Sequence, residues 1–194
     1  MSSENIETRE RILTAAWKLL EADQGKGVRM SDIAKTAGIS RQAVYLHFPT
    51  RAELLFATTR YVDEVKDIDA RLAASRNATS GVERLEAFVE AWGNYIPEIH
   101  GVARALIAMR DTDEAAEIAW ADRLAAVRHG CQAAVKALKD DGVLSAEHSA
   151  KEATDILWSL LSVPTWEHLT RESGWSQRVY VKKTKEMARK ILLA

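Results

Sequence analysis

A chain of 194 residues, 47% hydrophobic and 28% charged, with a formal net charge of −1, has the composition of a globular protein of one or two domains and not of a disordered or fibrous one. Its single cysteine, Cys131, excludes an internal disulfide and a multi-cysteine zinc site, and is expected as a small buried apolar residue in a reducing compartment and not as a redox sensor. No segment approaches the roughly 20 continuous apolar residues of a membrane span, and the opening MSSENIETRER has no apolar signal core, so a cytoplasmic protein without a membrane partner is expected.

Ile6 to Ala22 is expected as the first helix, because Ile12, Leu13, Ala16, Leu19 and Leu20 form a stripe at helical spacing and Gly25 and Gly27 end it. Arg9 and Arg11 near its start belong to a solvated terminus or to an arm that reaches DNA. From Ser31 to Phe48 the chain reads SDIAKTAGISRQAVYLHF. Ile33, Ala34 and Ala37 repeat at helical spacing before the Ala37 to Ser40 break, and Ala43, Val44 and Phe48 after it. Two short amphipathic helices about such a break are the signature of a helix-turn-helix: Gly38 supplies a left-handed residue, Ile39 an apolar plug and Ser40 a cap.

In that motif the second helix enters the major groove of double-stranded DNA, with its N-terminal side chains toward base edges. Ser40, Arg41 and Gln42 are the candidate readers, with Tyr45 at the margin. The fork of Arg41 matches guanine O6 and N7, and Gln42 can address adenine N6 and N7 in the same bidentate way. Tyr45, His47 and Arg51 fall where the helix leaves the groove and are expected on phosphate. Charge agrees: residues 1–60 hold nine Lys and Arg against seven Asp and Glu, while the remainder holds 18 against 21. Between Lys26 and Arg51 the cations Lys26, Arg29, Lys35, Arg41 and Arg51 face one anion, Asp32, a positive face on a slightly acidic body.

Pro49 stops the reading helix and Thr50 caps the next. Leu54, Leu55, Ala57, Tyr61, Val65, Ile68 and Leu72 predict one long helix from Arg51 to about Ser75. After the polar RNATSG break, Ser80 caps a helix from Val82 to about Ile96; Pro97 and Gly101 then mark a turn before a short apolar segment, Val102 to Met109. Asp113 to Asp140 is a long helix. Ser145 to Glu172 is another, kinked or interrupted at Pro164, and Ser176 caps a last helix running to Leu193. With no strand-like alternation, the expectation is an all-α chain of about nine helices, divided into a head at 1–50 and a body at 51–194.

The run I-A-x-x-A-G-I-S-x-x-x-V-Y-x-H-F-x-x-[KR]-x-x-L-L, Ile33 to Leu55, preceded by TRERILTAAWKLL, resembles the N-terminal domain of the TetR family of bacterial transcriptional regulators. The likeness covers about residues 8–56. Arg51 stands where the family commonly has lysine. Arg29, itself expected among the DNA-binding residues, stands where the family often has a threonine that caps the second helix, which leaves Ser31 as the substitute cap and phosphate contact. The resemblance implies an N-terminal three-helix DNA-binding domain and a C-terminal helical domain for ligand binding and dimerisation. It also implies a homodimer that binds a palindromic operator, is expected to repress, and is released by a small-molecule effector.

Nothing in the body suggests catalysis or a cofactor. His47, His100, His129, His148 and His168 are scattered without an HExxH pair, and neither a phosphate loop nor a nucleophile elbow is present. Asp111, Asp113, Glu114 and Glu117 are read as the acidic start of a helix and not as a metal site. The aromatics concentrate beyond the head, and large aromatics with a few polar groups suit a small-molecule cavity. Its expected lining is Trp92, Tyr95, Met109, Trp120, Leu124, Trp158, Ser162 and Trp166. The last two helices carry Ile156, Leu157, Leu160, Leu161 and Val163, then Val179, Tyr180, Met187, Ile191 and Leu192, and are expected to form the dimer surface. The alternative is a DNA-binding protein without a ligand switch, architectural or governed by a protein partner.

Overall fold

The computed structural model describes residues 3–23 and 28–194; Gly25 and Gly27, expected to end the first helix, and Lys26, counted among the head's cations, lie outside the described residues. Among the described residues there are ten α-helices and no strand, the all-α class expected. They are α1 (Ser3–Asp23), α2 (Met30–Ala37), α3 (Arg41–His47), α4 (Arg51–Val65), α5 (Ile68–Arg76), α6 (Gly81–Met109), α7 (Glu114–Asp140), α8 (Ala150–Leu160), α9 (Val163–Glu167) and α10 (Gln177–Leu192). A single π-helical turn, His168–Glu172, follows α9. The chain forms two compact units, one of Met1–Lys66 with Ile99–Arg123, the other of Asp67–Glu98 with Leu124–Ala194.

In the first unit α1 packs against α2 and α4. The stripe of α1 is buried as its period requires, with Ile12, Leu13, Ala16 and Leu20 inaccessible. Ile33, Val44, Leu54 and Leu55 are also fully buried in this unit. Gly38 closes α2 in the left-handed region at φ 68°, where a side chain would cost about 1 to 2 kcal/mol. The Ile39 amide donates back to the Ala34 carbonyl (3.1 Å), and Ile39 is half-buried. Ser40 and Thr50 cap α3 and α4, their hydroxyls accepting from the amides of Ala43 and Glu53 (3.1 Å each).

The second unit is centred on Leu85, Phe88 and Val89 of α6, Val127, Cys131, Ala134, Val135 and Leu138 of α7, Ala153 and Leu157 of α8, Leu161, and Ala188 and Leu192 of α10. Phe88 fits because residue 130 is glycine: a Cβ there would lie 2.5 Å from two of its ring carbons. Ser149 and Glu152 form a capping box on α8. Ser80 and Ser176 cap α6 and α10 as expected.

Three expectations about helix limits are corrected. The single helix from Arg51 to Ser75 is two, α4 and α5, because Asp67 takes a left-handed conformation (φ 53°) and turns its carboxylate onto the Ala70 amide (3.4 Å). Aspartate tolerates that region through such local bonds, and the uninterrupted apolar period concealed the break. Conversely, the turn expected at Pro97 and Gly101 is absent, since α6 runs through both for 29 residues. Proline cannot donate to the carbonyl four residues back, that of Gly93. Here the Gln177 side-chain amide donates to it instead (2.8 Å). The expected helix from Ser145 to Glu172 is not one kinked rod. It starts only at Ala150, ends at Leu160, and resumes as α9, where Ser162 caps and Pro164 lies in the first turn, the position at which proline removes no helical bond.

Candidate nucleic-acid interface

Helix α3 turns one face inward and another out. Val44 is fully buried and anchors it. Residues two before and two after lie about 160° round the helix, and there Gln42 and Leu46 are exposed. Leu46 is 80% exposed, a large apolar side chain held in solvent on the outward face. Sequence reasoning passed over it, although its spacing of four from Gln42 and two from Val44 was legible. Arg41 and Tyr45, also four apart, interact with each other: the Arg41 guanidinium donates to the Tyr45 hydroxyl (3.2 Å) and lies 5.5 Å above its ring centre. That hydrogen bond raises the Arg41 pKa further above its ordinary value, keeping the side chain charged.

Beside α3 a groove of about 420 Å³ is lined by Val28, Arg29, Met30, Ser31, Arg41, Tyr45, Arg51 and Asp113. It brings together five of the eight expected DNA-binding residues. The other three stand elsewhere on the same motif: Ser40 at the cap, Gln42 on the outer face, and His47 half-buried in the last turn of α3. Ser31 does not replace the missing threonine cap. Arg29 occupies the N-cap of α2 in an extended conformation, no side chain caps that helix, and Ser31 is exposed in its first turn.

Other cations of the first unit are held by the protein. Arg11 donates to the Ala37 carbonyl at the end of α2 (2.7 Å), where a positive charge is favourable. Arg9 lies 5.2 Å over the Phe48 ring. Both belong to α1 and not to a separate arm. Arg51 donates from Nε to the Val28 carbonyl (2.7 Å) and from Nη1 to both oxygens of Asp113 (2.7 and 2.6 Å). Asp113 also caps α7 through the amides of Ala115 and Ala116 (3.1 and 3.4 Å), as expected for the acidic start of that helix.

The eight residues expected around an effector divide between the units: Met109 and Trp120 are buried in the first, while Trp92, Tyr95, Leu124, Trp158, Ser162 and Trp166 belong to the second. Tyr95 is fully buried, 5.5 Å from the Trp92 ring. The indole of Trp92 donates to the Leu161 carbonyl (3.1 Å) and that of Trp166 to the Gln177 side-chain oxygen (2.8 Å). Arg128 lies over Trp158 at 5.7 Å, and the Ser162 hydroxyl donates to that of Thr165 (2.9 Å). No described helix is long and apolar enough to cross a membrane.

Comparison with known proteins bears on the head and on the whole chain differently. Residues 12–58 match the family model described as bacterial regulatory proteins, tetR family. The HTH-type transcriptional regulator CymR of Pseudomonas putida is 30% identical over 166 residues, 81% of this chain and 75% of that protein. The nucleoid occlusion factor SlmA of Marinobacter nauticus is 33% identical over 64 residues, so that the match spans about a third of either chain (33% of each). Among solved structures, a TetR-family transcriptional regulator from Rhodococcus sp. superposes with a TM-score of 0.75 at 22% identity, covering 96% of this chain and 98% of that one. A transcriptional regulator from Saccharomonospora viridis, solved in complex with choline, gives a TM-score of 0.75 at 21% identity over 97% and 98% of the two chains. These two establish the likeness of fold.

Proposed function

Because the chain belongs to the TetR family of bacterial transcriptional regulators, we propose that it is a homodimeric repressor that binds a palindromic operator through α3 and is released by a small-molecule effector. The observation that carries the DNA-binding part is the division of α3, with Val44 buried and Arg41, Gln42, Tyr45 and Leu46 exposed beside an arginine-lined groove. Arg41 and Gln42 read base edges, Leu46 meets thymine methyl groups, and Arg29, Ser31, Ser40, Tyr45 and His47 serve the backbone.

Dimerisation through α8 and α10 is supported by what the subunit leaves partly uncovered. Leu157, Leu161, Tyr180 and Leu192 are buried in their own chain, whereas Ile156, Leu160, Val179, Met187 and Ile191 remain half-exposed. One short reading helix buries little base surface, so two heads on two half-sites are needed for specificity. The effector site is sought among the second-unit aromatics Trp92, Tyr95, Trp158 and Trp166 with Leu124 and Ser162. Release requires that the effector prefer the arrangement that does not fit DNA, since equal affinity for both arrangements shifts nothing.

A regulator is favoured over a DNA-binding protein without a ligand switch because the likeness to CymR extends over 81% of the chain, whereas that to the nucleoid occlusion factor stops at 33%. The test is fluorescence anisotropy on sites enriched from random DNA by the full-length protein. Preferential binding to the enriched site, lost in Arg41→Ala and Gln42→Ala, is expected. Equal binding to scrambled DNA would refute sequence-specific recognition. Persistence of binding after titration with every compound that itself binds would refute the switch.

A further inference from the structure

Resting on the DNA-binding reading above, we infer that Arg51 and Asp113 are a positioning pair that sets the reading helix, and that Arg51 is not itself a phosphate contact. Three separate segments meet on one guanidinium. Arg51 stands at the first position of α4, its Nε holds the Val28 carbonyl two residues before α2, and its Nη1 is shared by both oxygens of Asp113, the cap of α7. All three segments lie in the first unit, and both side chains are 23% exposed.

Helix α2 has no side-chain cap, and the bond from Arg51 to the Val28 carbonyl fixes the segment that leads into its start. At its other end α2 is held by Arg11 on the Ala37 carbonyl and by the left-handed Gly38. Residues 38–40 then lead directly into α3, whose first turn is capped by Ser40. A displacement of the Arg51 guanidinium is therefore passed to the reading helix through a short and well-bonded path.

The same bonds remove Arg51 from the phosphate-facing charge of the groove. A guanidinium shared by two carboxylate oxygens is neutralised, and reaching a phosphate would mean surrendering Asp113. Lysine could not replace it, since one ammonium cannot span the Val28 carbonyl and both Asp113 oxygens in a planar fork. The other cations that line the groove are Arg29 and Arg41.

Two conservative variants separate positioning from contact. Arg51→Lys retains the charge and loses the fork; Asp113→Asn loses the charge and retains a good helix cap. Affinity for the enriched site would be measured by anisotropy across a salt series, with folding checked by circular dichroism and thermal melting. Wild type against Arg41→Ala tests the DNA-binding reading separately, and the pair is judged only by the variants at 51 and 113. Each single variant is expected to bind about tenfold more weakly, with the slope of log affinity against log salt unchanged and the double variant no weaker than either single. In the DNA-free protein, amide exchange near Val28 is expected to quicken in both. The inference is overturned if Arg51→Lys binds like wild type, if Arg51→Gln lowers the salt slope by about two, one for each head, while Asp113→Asn binds more tightly, or if only the melting temperature falls and affinity stays.

Discussion

Replacement of Leu46 by alanine should separate stability from recognition. The side chain is 80% exposed, so folding withdraws only about a fifth of it from water. Full burial of a leucine is worth about 1.5 to 3 kcal/mol, which leaves less than about 0.6 kcal/mol at stake in the free protein. Alanine's slightly better helix propensity offsets part of even that. In the proposed complex with DNA the accounting reverses, because there the outer face of α3 would lie against base edges and thymine methyl groups would cover the aliphatic end. A loss of about 1 kcal/mol per head, or about fivefold in affinity, follows, and about 30-fold when both heads of a dimer carry the change. Anisotropy on the enriched operator and on a copy with deoxyuridine replacing thymine gives the assay. Wild type should weaken on the copy, and Leu46→Ala should bind both alike. A fall in melting temperature of more than about 3 °C, or an affinity equal to wild type, would refute the assignment of Leu46 to the DNA face.

Other consequences concern the scaffold. Gly130→Ala brings a Cβ to 2.5 Å from the Phe88 ring and should cost about 1 to 3 kcal/mol in denaturant unfolding, much of it recovered in the double variant with Phe88→Leu; equal costs in both backgrounds would show that the contact is not the cause. Gln177→Ala withdraws the donor from the Gly93 carbonyl and should cost about 1 to 3 kcal/mol, but less in a Pro97→Ala background, where residue 97 regains an N–H for that carbonyl. Burial pushes the Cys131 thiol from about 9 up to about 12. Above pH 9 the unfolded chain therefore releases a proton that the folded chain retains, and stability is lost between about pH 9 and 12 by up to about 1.4 kcal/mol per pH unit. Burial moves the Tyr180 hydroxyl in the same direction, so the fall should be shallower in Cys131→Ala without disappearing. Thiol reagents should label Cys131 only on unfolding.

The legible features were those whose cause lies within a few residues. A glycine followed by Ile39 and Ser40 announces the turn and the cap because each acts through its own backbone neighbourhood, and Gly38 and Ser40 do so in the structure. The illegible features depend on distant partners. Pro97 reads as a helix end until Gln177, 80 residues later, is seen to supply the lost donor. Asp67 breaks a faultless apolar period through a single left-handed residue. In the candidate site, Arg41 and Gln42 were marked by the motif itself, whereas the engagement of Arg51 by Asp113 rests on a pairing across 62 positions that no local pattern signals. Leu46 is a different case: its outward position followed from the helical period, but an apolar residue draws no notice in a search for hydrogen-bonding readers.

That distinction changes what the charge of the head means. Sequence charge counts Arg29, Lys35, Arg41 and Arg51 equally between Val28 and Arg51, yet Arg51 is neutralised by Asp113, and nearby Arg11 serves the Ala37 carbonyl. Among the described residues of this stretch, Arg29, Lys35 and Arg41 are the cations without an acidic partner, since Arg41 engages the uncharged Tyr45. With Arg41 on base edges, Arg29 and Lys35 give two phosphate contacts per head, or four for two heads, and a slope of log affinity against log salt of about −4. Counting Arg11 and Arg51 as well would steepen it to about −7. A salt titration of wild-type binding therefore reads how many arginines the fold has set aside for its own geometry. A slope near the steeper value would mean that Arg11 and Arg51 abandon their protein partners on DNA, and that the positioning account of the head is wrong.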